Sequence, residues 1–358
     1  MKVKSSFHTN FKLQGKSFDN NDELIDFSLR ISPKINSFLK EWFNAEGFVE
    51  VKTSGSTGMS KVILIKKKHM VHSAKATGEY FNLDSTSKAL LCMSPDYIAG
   101  KMMLVRALTL GWWLDVVDPS PNPLKNCTEH YDFTAMVPLQ LHHSLDDIYK
   151  VRKLIVGGGA VSKELSAKIQ NIETEIFETY GMTETITHIA VKKLNHFRGN
   201  RSISTSYFEL LPNISISLDE RKCLIIKAQD IADDTVITND LVELITEKSF
   251  KWKGRYDSVI NSGGIKLIPE QIEDKLSVLI SNRFFVAGLL DAALGEKLIL
   301  VIENESKNIS KENLLKEIKA LKSISKFEIP KEIIFLQHFL ETATKKINRT
   351  ATVQLIDS

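Results

Sequence analysis

The sequence predicts an α/β fold built on a doubly wound parallel sheet, with a small β-subdomain and a small C-terminal α+β domain. Short apolar runs alternate with helical patterns between residues 89 and 180, as expected for parallel strands joined by crossover helices. After residue 189 this alternation gives way to short strands with polar turns. Beyond residue 257 helical patterns return, which indicates a separate compact unit.

The individual elements follow from local patterns. Ser32 followed by Pro33 marks a helix start within residues 1–50, which we expect to be helical. The strands of the main sheet are predicted at residues 89–93, 113–117, 133–137, 154–156 and 175–180, with helices at 98–110, 139–149 and 162–170. The β-subdomain is predicted to contain strands at 208–211, 214–218, 223–227 and 241–247. The C-terminal unit is predicted to contain helix 269–280, strand 298–303 and a helix capped by Ser310.

Composition narrows the class of protein. A chain of 358 residues accommodates two or three domains, and we place them at 1–256 and 257–358. The net charge of +3 indicates neither a nucleic-acid partner nor a membrane surface. The three cysteines lie far apart, so the spacing predicts no zinc site or disulfide framework. With no apolar run of about 18 residues and no signal-peptide pattern, we expect a cytoplasmic protein without a membrane span. The oligomeric state is left open.

The first candidate site is a polar loop at residues 53–61. It contains Thr53, Ser54, Gly55, Ser56, Thr57, Gly58 and Lys61. Glycine lets the backbone approach an anion closely, and successive N–H groups form a concavity that binds phosphate. The spacing does not match the Walker A motif. A flexible polar turn would have a similar composition.

Two later segments end predicted strands. The first contains Gly157, Gly158, Gly159 and Ala160 and separates a strand from a helix, where a flat or anionic ligand can lie beside the backbone. The second contains Tyr180, Gly181, Thr183 and Glu184. Here Tyr180 offers a stacking face, Thr183 a hydroxyl for phosphate and Glu184 an oxygen ligand for Mg²⁺. A tight βα turn and a charged helix cap are the structural alternatives.

In order and spacing these three segments resemble the motifs of the adenylate-forming superfamily of acyl-CoA synthetases, luciferases and peptide-synthetase adenylation domains. Further segments are similar to later motifs of that superfamily. They are residues 238–240, 254–257, 261–273 and 344–349. Asn239 and Lys345 each replace a glycine of the superfamily pattern. Only residues 1–52 precede the phosphate loop, where the superfamily has a much longer segment.

The resemblance implies an AMP-forming acid–thiol ligase that uses ATP, Mg²⁺ and coenzyme A. Loop 53–61 would hold the β- and γ-phosphates, and residues 157–160 with Tyr180 and Gly181 would line the adenine. Thr183 would contact the α-phosphate and Glu184 would bind Mg²⁺. Asp240 and Arg255 would hold the ribose.

The same resemblance implies a mobile C-terminal domain. Lys346 would bridge the substrate carboxylate and the α-phosphate during adenylation. Asp257 would be the hinge. Rotation about it would bring Gly263 and Gly264 to the thiol site for the second half-reaction.

The acyl substrate is indicated by a weaker local resemblance. Tyr97, Lys101 and Arg106 follow one strand, and Thr187 and His188 follow the glutamate. With the short N-terminus, these segments resemble the o-succinylbenzoate–CoA ligases of menaquinone biosynthesis, which implies that these residues bind an acid with a second carboxylate. An ordinary helix face would also explain the two cations.

Three alternatives stay open at this point. The chain is also compatible with a CoA ligase for another aryl or short-chain acid. It is compatible with a stand-alone adenylation domain that loads a carrier protein. A degenerate relative without catalysis is disfavoured, because Lys346, Glu184 and Asp240 are all retained.

Overall fold

The computed structural model describes residues 6–52, 62–195, 206–304, 310–342 and 347–357. The helices in these ranges are α1 (Asn21–Leu29), α2 (Pro33–Phe43), α3 (Lys67–Phe81), α4 (Ile98–Leu110), α5 (Pro138–His143), α6 (Lys163–Lys168), α7 (Pro269–Leu276), α8 (Lys311–Ala320) and α9 (Arg349–Asp357). Within the same ranges, no helix combines the length and apolarity needed to cross a bilayer.

The strands are β1 (Lys12–Leu13), β2 (Phe48–Lys52), β3 (Val62–Lys66), β4 (Lys88–Leu91), β5 (Trp113–Val116), β6 (Tyr131–Met136), β7 (Val151–Val156), β8 (Glu175–Gly181), β9 (His188–Lys193), β10 (Phe208–Leu210), β11 (Ser215–Leu218), β12 (Cys223–Lys227), β13 (Val236–Thr246), β14 (Ser249–Arg255), β15 (Ile260–Ser262), β16 (Ile265–Leu267), β17 (Phe284–Asp291), β18 (Gly295–Glu303) and β19 (Glu332–Leu336).

The described strands of the large sheet run in the order β1-β5-β4-β6-β7-β8-β9-β10-β14-β13-β12-β11. Neighbours from β1 to β8 in this order are parallel, and every pair after β8 is antiparallel. The α/β class is therefore confirmed. The strands predicted as a β-subdomain continue the same sheet, and β8 is the strand at which the pairing changes direction.

Both faces of the parallel part are covered. Because side chains alternate across a strand, Leu91 and Ile155 enter the core formed with α2, α3 and α4. Leu90 and Leu154, their neighbours in sequence, enter the opposite core with Leu165 of α6. This explains why these strands are continuous apolar runs, since no face is left for polar side chains.

The N-terminal segment is helical in part, as predicted. Ser32 caps α2, and its side chain accepts a hydrogen bond from the Lys34 amide at 3.3 Å. The segment also contributes β1, which pairs with β5 at the edge of the large sheet. A strand of two residues carries too little alternation to be recognised in a sequence.

A second sheet forms after residue 257. Its path is β16-β15-β18-β17, and β19 pairs in parallel with β18. Helices α7 and α8 cover one face through Ile272 and Ile318, whereas α9 lies against the other face through Val353. These separate cores support a second domain, whose exact boundary stays a prediction.

Candidate active site

The carboxyl ends of β6, β7 and β8 meet at one edge of the sheet, where ligands of doubly wound folds bind. The Gly157 amide follows β7 and donates to the Met136 carbonyl at the end of β6 at 3.1 Å. A Cβ on Gly157 would lie 2.5 Å from Thr179 Oγ1. Glycine is therefore required here, because it lets the turn after β7 pack against β8.

A cavity of about 780 Å³ opens beside these strand ends, and we call it the nucleotide cavity. Its lining includes most of the described residues predicted to bind ATP: Gly158, Gly159, Ala160, Tyr180, Gly181 and Asp240. Glu270, Gln271 and Asp274 of α7 line the opposite wall. The fold thus brings segments that are 80 residues apart in sequence to one concave site.

Asp240 is the centre of the hydrogen bonds in this cavity. It is buried, and the Tyr180 hydroxyl donates to its Oδ2 at 2.7 Å. The Trp252 indole donates to Oδ1 at 3.1 Å. Burial and the neighbouring carboxylate of Asp240 raise the pKa of Tyr180, so the phenol stays protonated and donates. Sequence reasoning did not identify Trp252, which belongs to no motif.

Arg255 lies between the nucleotide cavity and the predicted hinge. Its Nη1 is 3.7 Å from Asp240 Oδ1. Its Nε and Nη2 donate to the two oxygens of Asp257 at 3.1 and 2.8 Å, a bidentate pair. This pairing lowers the pKa of Asp257. One guanidinium therefore contacts both a predicted ribose ligand and the predicted hinge residue.

The large sheet and α7 approach each other closely at Gly254. Its φ of +149° is a backbone conformation that favours glycine. A Cβ there would lie 2.5 Å from both Ile268 Cγ2 and Glu270 Oε2. An ion pair of 2.9 Å between Lys163 Nζ and Asp274 Oδ1 also joins α6 to α7. These contacts define the orientation of the second sheet relative to the first.

A second cavity, of about 270 Å³, adjoins the first, and we call it the acyl cavity. The two linings share Gly158, Thr179 and Gly181, so the two cavities lie next to each other at the end of β8. The predicted site residues that line the acyl cavity are Arg106, Gly157, Gly158, Gly181, Thr183, Thr187 and His188. The rest of the lining is largely apolar.

Arg106 is a buried cation in this lining, with 1% of its surface exposed. Its Nε donates to Thr77 Oγ1 at 3.3 Å, and its Nη2 lies 3.5 Å from His188 Nδ1. Burial lowers the pKa of Arg106 to about 9. None of the described carboxylates forms an ion pair with it. Because a buried unpaired charge is costly, the site is suited to an anionic ligand.

His188 lies beside Arg106 and is neutral. Burial, and then the Arg106 charge, lower its pKa well below the ordinary value. An arginine can only donate hydrogen bonds, so this contact favours the tautomer in which Nδ1 accepts and Nε2 carries the proton. Thr187 Oγ1 lies 3.3 Å from the same Nδ1. The cavity therefore places the guanidinium of Arg106 and the hydroxyl of Thr187 side by side.

The turn that positions these groups is strained. Ile186 has φ +66° and ψ −58°, an unfavourable conformation for a β-branched residue. It separates the short 3₁₀ helix Thr183–Thr185 from β9. Strain of this kind persists where the surroundings hold the backbone, often at ligand sites. No sequence motif indicated it.

Two residues predicted for the acyl site do not line the acyl cavity, and their role in binding the acid stays a prediction. Lys101 forms a 2.9 Å ion pair with Glu41 and lies over the Phe38 ring. Tyr97 precedes α4 and is 59% exposed. Neither residue lines the acyl cavity. The partner of Lys101 comes from α2, 60 residues away, and local sequence patterns do not reveal such contacts.

Some predicted residues lie outside the described part of the chain. These are the whole of loop 53–61 and Lys346. The antiparallel strands β2 and β3 pair Lys52 with Val62, on either side of that segment in the sequence. Gly263 and Gly264 form the turn between β15 and β16, with φ of +59° and +80°.

The residues present fit a magnesium ion that arrives with the nucleotide. Among the described residues, no group of three or more His, Cys, Asp or Glu side chains could hold a metal. Glu184 offers one exposed carboxylate beyond the end of β8. Mg²⁺ in nucleotide-using enzymes is commonly held by one or two carboxylates together with substrate phosphates.

Known proteins resemble this chain over most of its length. The family model for AMP-binding enzymes matches residues 52–219. An AMP-forming acyl-CoA synthetase/AMP-acid ligase II-like protein from Dyadobacter fermentans has a solved structure with 37% identity and a TM-score of 0.61, with 91% of this chain and 95% of that chain covered. A 2-succinylbenzoate–CoA ligase from Lactococcus lactis is 26% identical over 84% of this chain and 69% of its own.

The fold of a further enzyme is similar. The o-succinylbenzoate coenzyme A synthetase from Bacillus subtilis, solved with ATP and magnesium, has a TM-score of 0.72 and 19% identity, with 85% of this chain and 69% of that chain covered. This chain therefore belongs to the family of AMP-binding, adenylate-forming enzymes that includes the AMP-forming acyl-CoA synthetases. The predicted class, an AMP-forming acid–CoA ligase, is confirmed.

Proposed function

We propose that this enzyme is an o-succinylbenzoate–CoA ligase. It uses ATP to convert the succinyl carboxylate of its substrate into an acyl-adenylate, releases pyrophosphate, and transfers the acyl group to coenzyme A. The observation that carries the proposal is the buried guanidinium of Arg106 in the acyl cavity, which forms no ion pair with any carboxylate in the described part of the chain. The 2-succinylbenzoate–CoA ligase similar to this chain supports the same substrate.

The first half-reaction needs a carboxylate and a phosphate to approach each other. The adjoining cavities allow this, because Gly158 and Gly181 belong to both linings. Thr183, in the acyl cavity, is the proposed donor to the α-phosphate. Lys346 is the proposed cation between the two anions, and a mobile cation offsets their repulsion. Mg²⁺, held by Glu184 and the phosphates, would neutralise charge on the leaving pyrophosphate.

The acid has two carboxylates, of which only one reacts. The unreacted aryl carboxylate must be buried with the ring, and burying it without partners would be very costly. Arg106 supplies a full charge, and the hydroxyl of Thr187 lies next to it. The acid also supplies the negative charge that Arg106 lacks among the described residues. The aryl carboxylate and the Arg106 guanidinium would thus each offset the free-energy cost of burying the other.

The ribose site has its own support. Tyr180 and Trp252 hold Asp240 by direct hydrogen bonds, so its carboxylate is oriented before the nucleotide binds. A positioned acceptor suits the two ribose hydroxyls. The gap of 3.7 Å to Arg255 leaves room for Arg255 to approach the ribose as well.

The second half-reaction requires a different surface. We infer that rotation about Asp257 withdraws Lys346 and brings Gly263 and Gly264 toward the acyl-adenylate. Both glycines lie in a turn with positive φ, where the absence of a side chain lets a narrow thiol chain pass. Coenzyme A is the proposed acceptor.

A panel of acids tests the proposal through pyrophosphate release. We expect o-succinylbenzoate to be turned over with the highest kcat/KM, and benzoate, short-chain acids and fatty acids to be poor substrates. The product is then assayed with coenzyme A and with a holo carrier protein as alternative thiols. Efficient use of a plain monoacid, with o-succinylbenzoate no better, would overturn the substrate assignment. Preference for the carrier protein would overturn the ligase assignment.

A further inference from the structure

Thr77 of α3 contacts the Arg106 guanidinium without lining the acyl cavity. Arg106 Nε donates to Thr77 Oγ1 at 3.3 Å, and the Thr77 hydroxyl donates in turn to the Ser73 carbonyl at 3.0 Å. The hydroxyl hydrogen therefore points along α3, and the oxygen accepts the bond from the guanidinium. Thr77 is fully buried, so neither solvent nor the acid can replace this contact.

The other two contacts of the guanidinium are to sulfur and to a ring nitrogen. Arg106 Nη1 donates to the Met103 thioether at 3.7 Å, a weak acceptor, and Nη2 lies 3.5 Å from His188 Nδ1. Among the residues that the structure describes, Thr77 therefore provides the only oxygen that accepts from Arg106. Each terminal nitrogen of a guanidinium carries two N–H groups, so one on each is left for the two oxygens of a carboxylate.

Close packing of α3 against α4 holds this contact in place. The residue after Thr77 on α3 is Gly78, which is buried, and a Cβ on it would lie 2.9 Å from Leu110 Cδ1. Leu110 lies one turn after Arg106 on α4. A β-branched residue such as threonine also has few χ1 rotamers in a helix. The Thr77 oxygen therefore has a defined position, whereas the long arginine side chain has many rotamers and must be held in one of them.

We propose that Thr77 is a positioning residue for acid binding. It orients the Arg106 guanidinium so that the remaining N–H groups meet the aryl carboxylate of the substrate. A supporting hydrogen bond of this kind sets the orientation before the ligand arrives, which lowers the entropy cost of binding. Thr77 itself does not touch the acid. This inference rests on the proposed function, since it assumes that Arg106 binds the unreacted carboxylate.

Thr77→Val tests the proposal, because valine keeps the branched shape of threonine and removes the acceptor. The KM for o-succinylbenzoate, measured through pyrophosphate release, should rise about three- to tenfold, as expected for the loss of one hydrogen bond. The values of kcat and of the KM for ATP should stay near wild type. Thr77→Ser keeps the hydroxyl and should have the wild-type KM for the acid. Thr77→Ala repeats the measurement if urea denaturation shows that Thr77→Val folds poorly.

Two further variants separate positioning from a general effect on the core. Ser73→Ala is the matched control, because the Ser73 hydroxyl is buried one turn earlier on α3 and has no hydrogen-bond partner among the described residues. It should leave the KM for o-succinylbenzoate unchanged. In the double variant, Thr77→Val is combined with Arg106→Met. If Thr77 acts through Arg106, Thr77→Val should not raise this KM further once the guanidinium is gone.

The outcomes distinguish this inference from the proposed function. If wild type turns over o-succinylbenzoate but Thr77→Val leaves its KM unchanged, the positioning role is wrong and the proposed function stands. The same conclusion follows if the effects of Thr77→Val and Arg106→Met add, or if Ser73→Ala or Thr77→Ser raises the KM as much as Thr77→Val does. If wild type releases no pyrophosphate with o-succinylbenzoate, the proposed function itself fails, and this inference fails with it.

Discussion

The hydroxyl of Tyr180 lies 2.7 Å from Oδ2 of Asp240, so residues 60 positions apart share one hydrogen bond. Their strands, β8 and β13, are not neighbours, because β9, β10 and β14 lie between them in the sheet. The bond therefore crosses the face of the sheet inside the nucleotide cavity. It couples the residue proposed to line adenine to the residue proposed to hold ribose.

Replacing Tyr180 with phenylalanine should weaken ATP binding and lower stability. Asp240 would lose one of its two side-chain donors while staying buried, at a cost of about 1–3 kcal/mol in the free energy of unfolding. The measurements are urea denaturation and the KM for ATP. Tyr80→Phe is the matched control, because Tyr80 donates to Glu209 at 2.9 Å away from the nucleotide cavity. If both variants raise this KM equally, the effect of Tyr180 is only structural.

Two matched substitutions on α4 test which basic side chain binds the second carboxylate of the acid. Arg106→Met should raise the KM for o-succinylbenzoate about ten- to a hundredfold, as expected for a hydrogen bond to a charged group. The KM for ATP should change little. Lys101→Met should leave both KM values near wild type, since Lys101 is paired with Glu41. A larger effect of Lys101→Met on the acid would restore the sequence-based assignment.

Lys346→Ala should slow adenylation by about two to three orders of magnitude, or roughly 3–4 kcal/mol, because the lost contact is made mainly in the transition state. Thioester formation from supplied acyl-adenylate should be preserved. Separate assays of the two half-reactions check this. Lys345→Ala is the neighbouring control. A larger loss of adenylation rate in Lys345→Ala would assign the role of the catalytic cation to Lys345 instead.

Asp257→Pro should separate the two half-reactions. Proline restricts φ, so a hinge residue that changes its backbone conformation would be held in one state. Adenylation should continue while transfer to coenzyme A falls. Asp257→Ala is the control, because it removes the ion pair with Arg255 without restricting the backbone. Equal ratios of the two rates in wild type and Asp257→Pro would exclude a hinge at this residue.

Stability should fall as the pH drops below about 6.5, the ordinary pKa of histidine. Burial lowers the pKa of His188 in the folded protein, so the unfolded chain binds more protons between the folded pKa and about 6.5. Each such group contributes up to about 1.4 kcal/mol per pH unit in that window, and nothing above it. His188→Gln should make this decline shallower in denaturation measured at several pH values.

His69 provides a comparison for that experiment. Burial also lowers the pKa of His69, so His69→Gln should separately reduce the slope of the free energy of unfolding against pH. The double variant should show both reductions. A slope unchanged in His188→Gln would mean that the imidazole is as easily protonated in the folded protein as in the unfolded chain.

Much of the fold was predictable because its signals are local. The helix expected at residues 98–110 is α4, with the same bounds. The strand expected at 223–227 is β12. Such elements can be recognised from the spacing of apolar residues and from the flanking turn residues within a short stretch of sequence. The residues predicted to bind ATP stay a prediction, although most of the described ones line one cavity, and each was proposed from a motif that is contiguous in sequence.

The rest depended on contacts between distant segments. Trp252 donates a hydrogen bond to Asp240 because the pairing of β13 with β14 brings the two residues together. The ion pair between Lys101 and Glu41 could not be predicted, because Glu41 lies on another helix. The acyl cavity forms from α4 and from segments up to about 80 residues later, so no single stretch of sequence encodes it.

The close approach of β14 and α7 at Gly254 limits which residues can occupy position 254. A methyl group there would collide with Ile268 in the arrangement described here, whereas another arrangement of β14 and α7 need not bring these atoms together. The residue lines neither the nucleotide cavity nor the acyl cavity. If the two domains rotate about Asp257 as proposed, we expect a larger side chain at position 254 to disfavour the arrangement described here and so to shift the populations of the domain orientations. Under that proposal, the residue at position 254 would set how the enzyme divides its time between the two half-reactions.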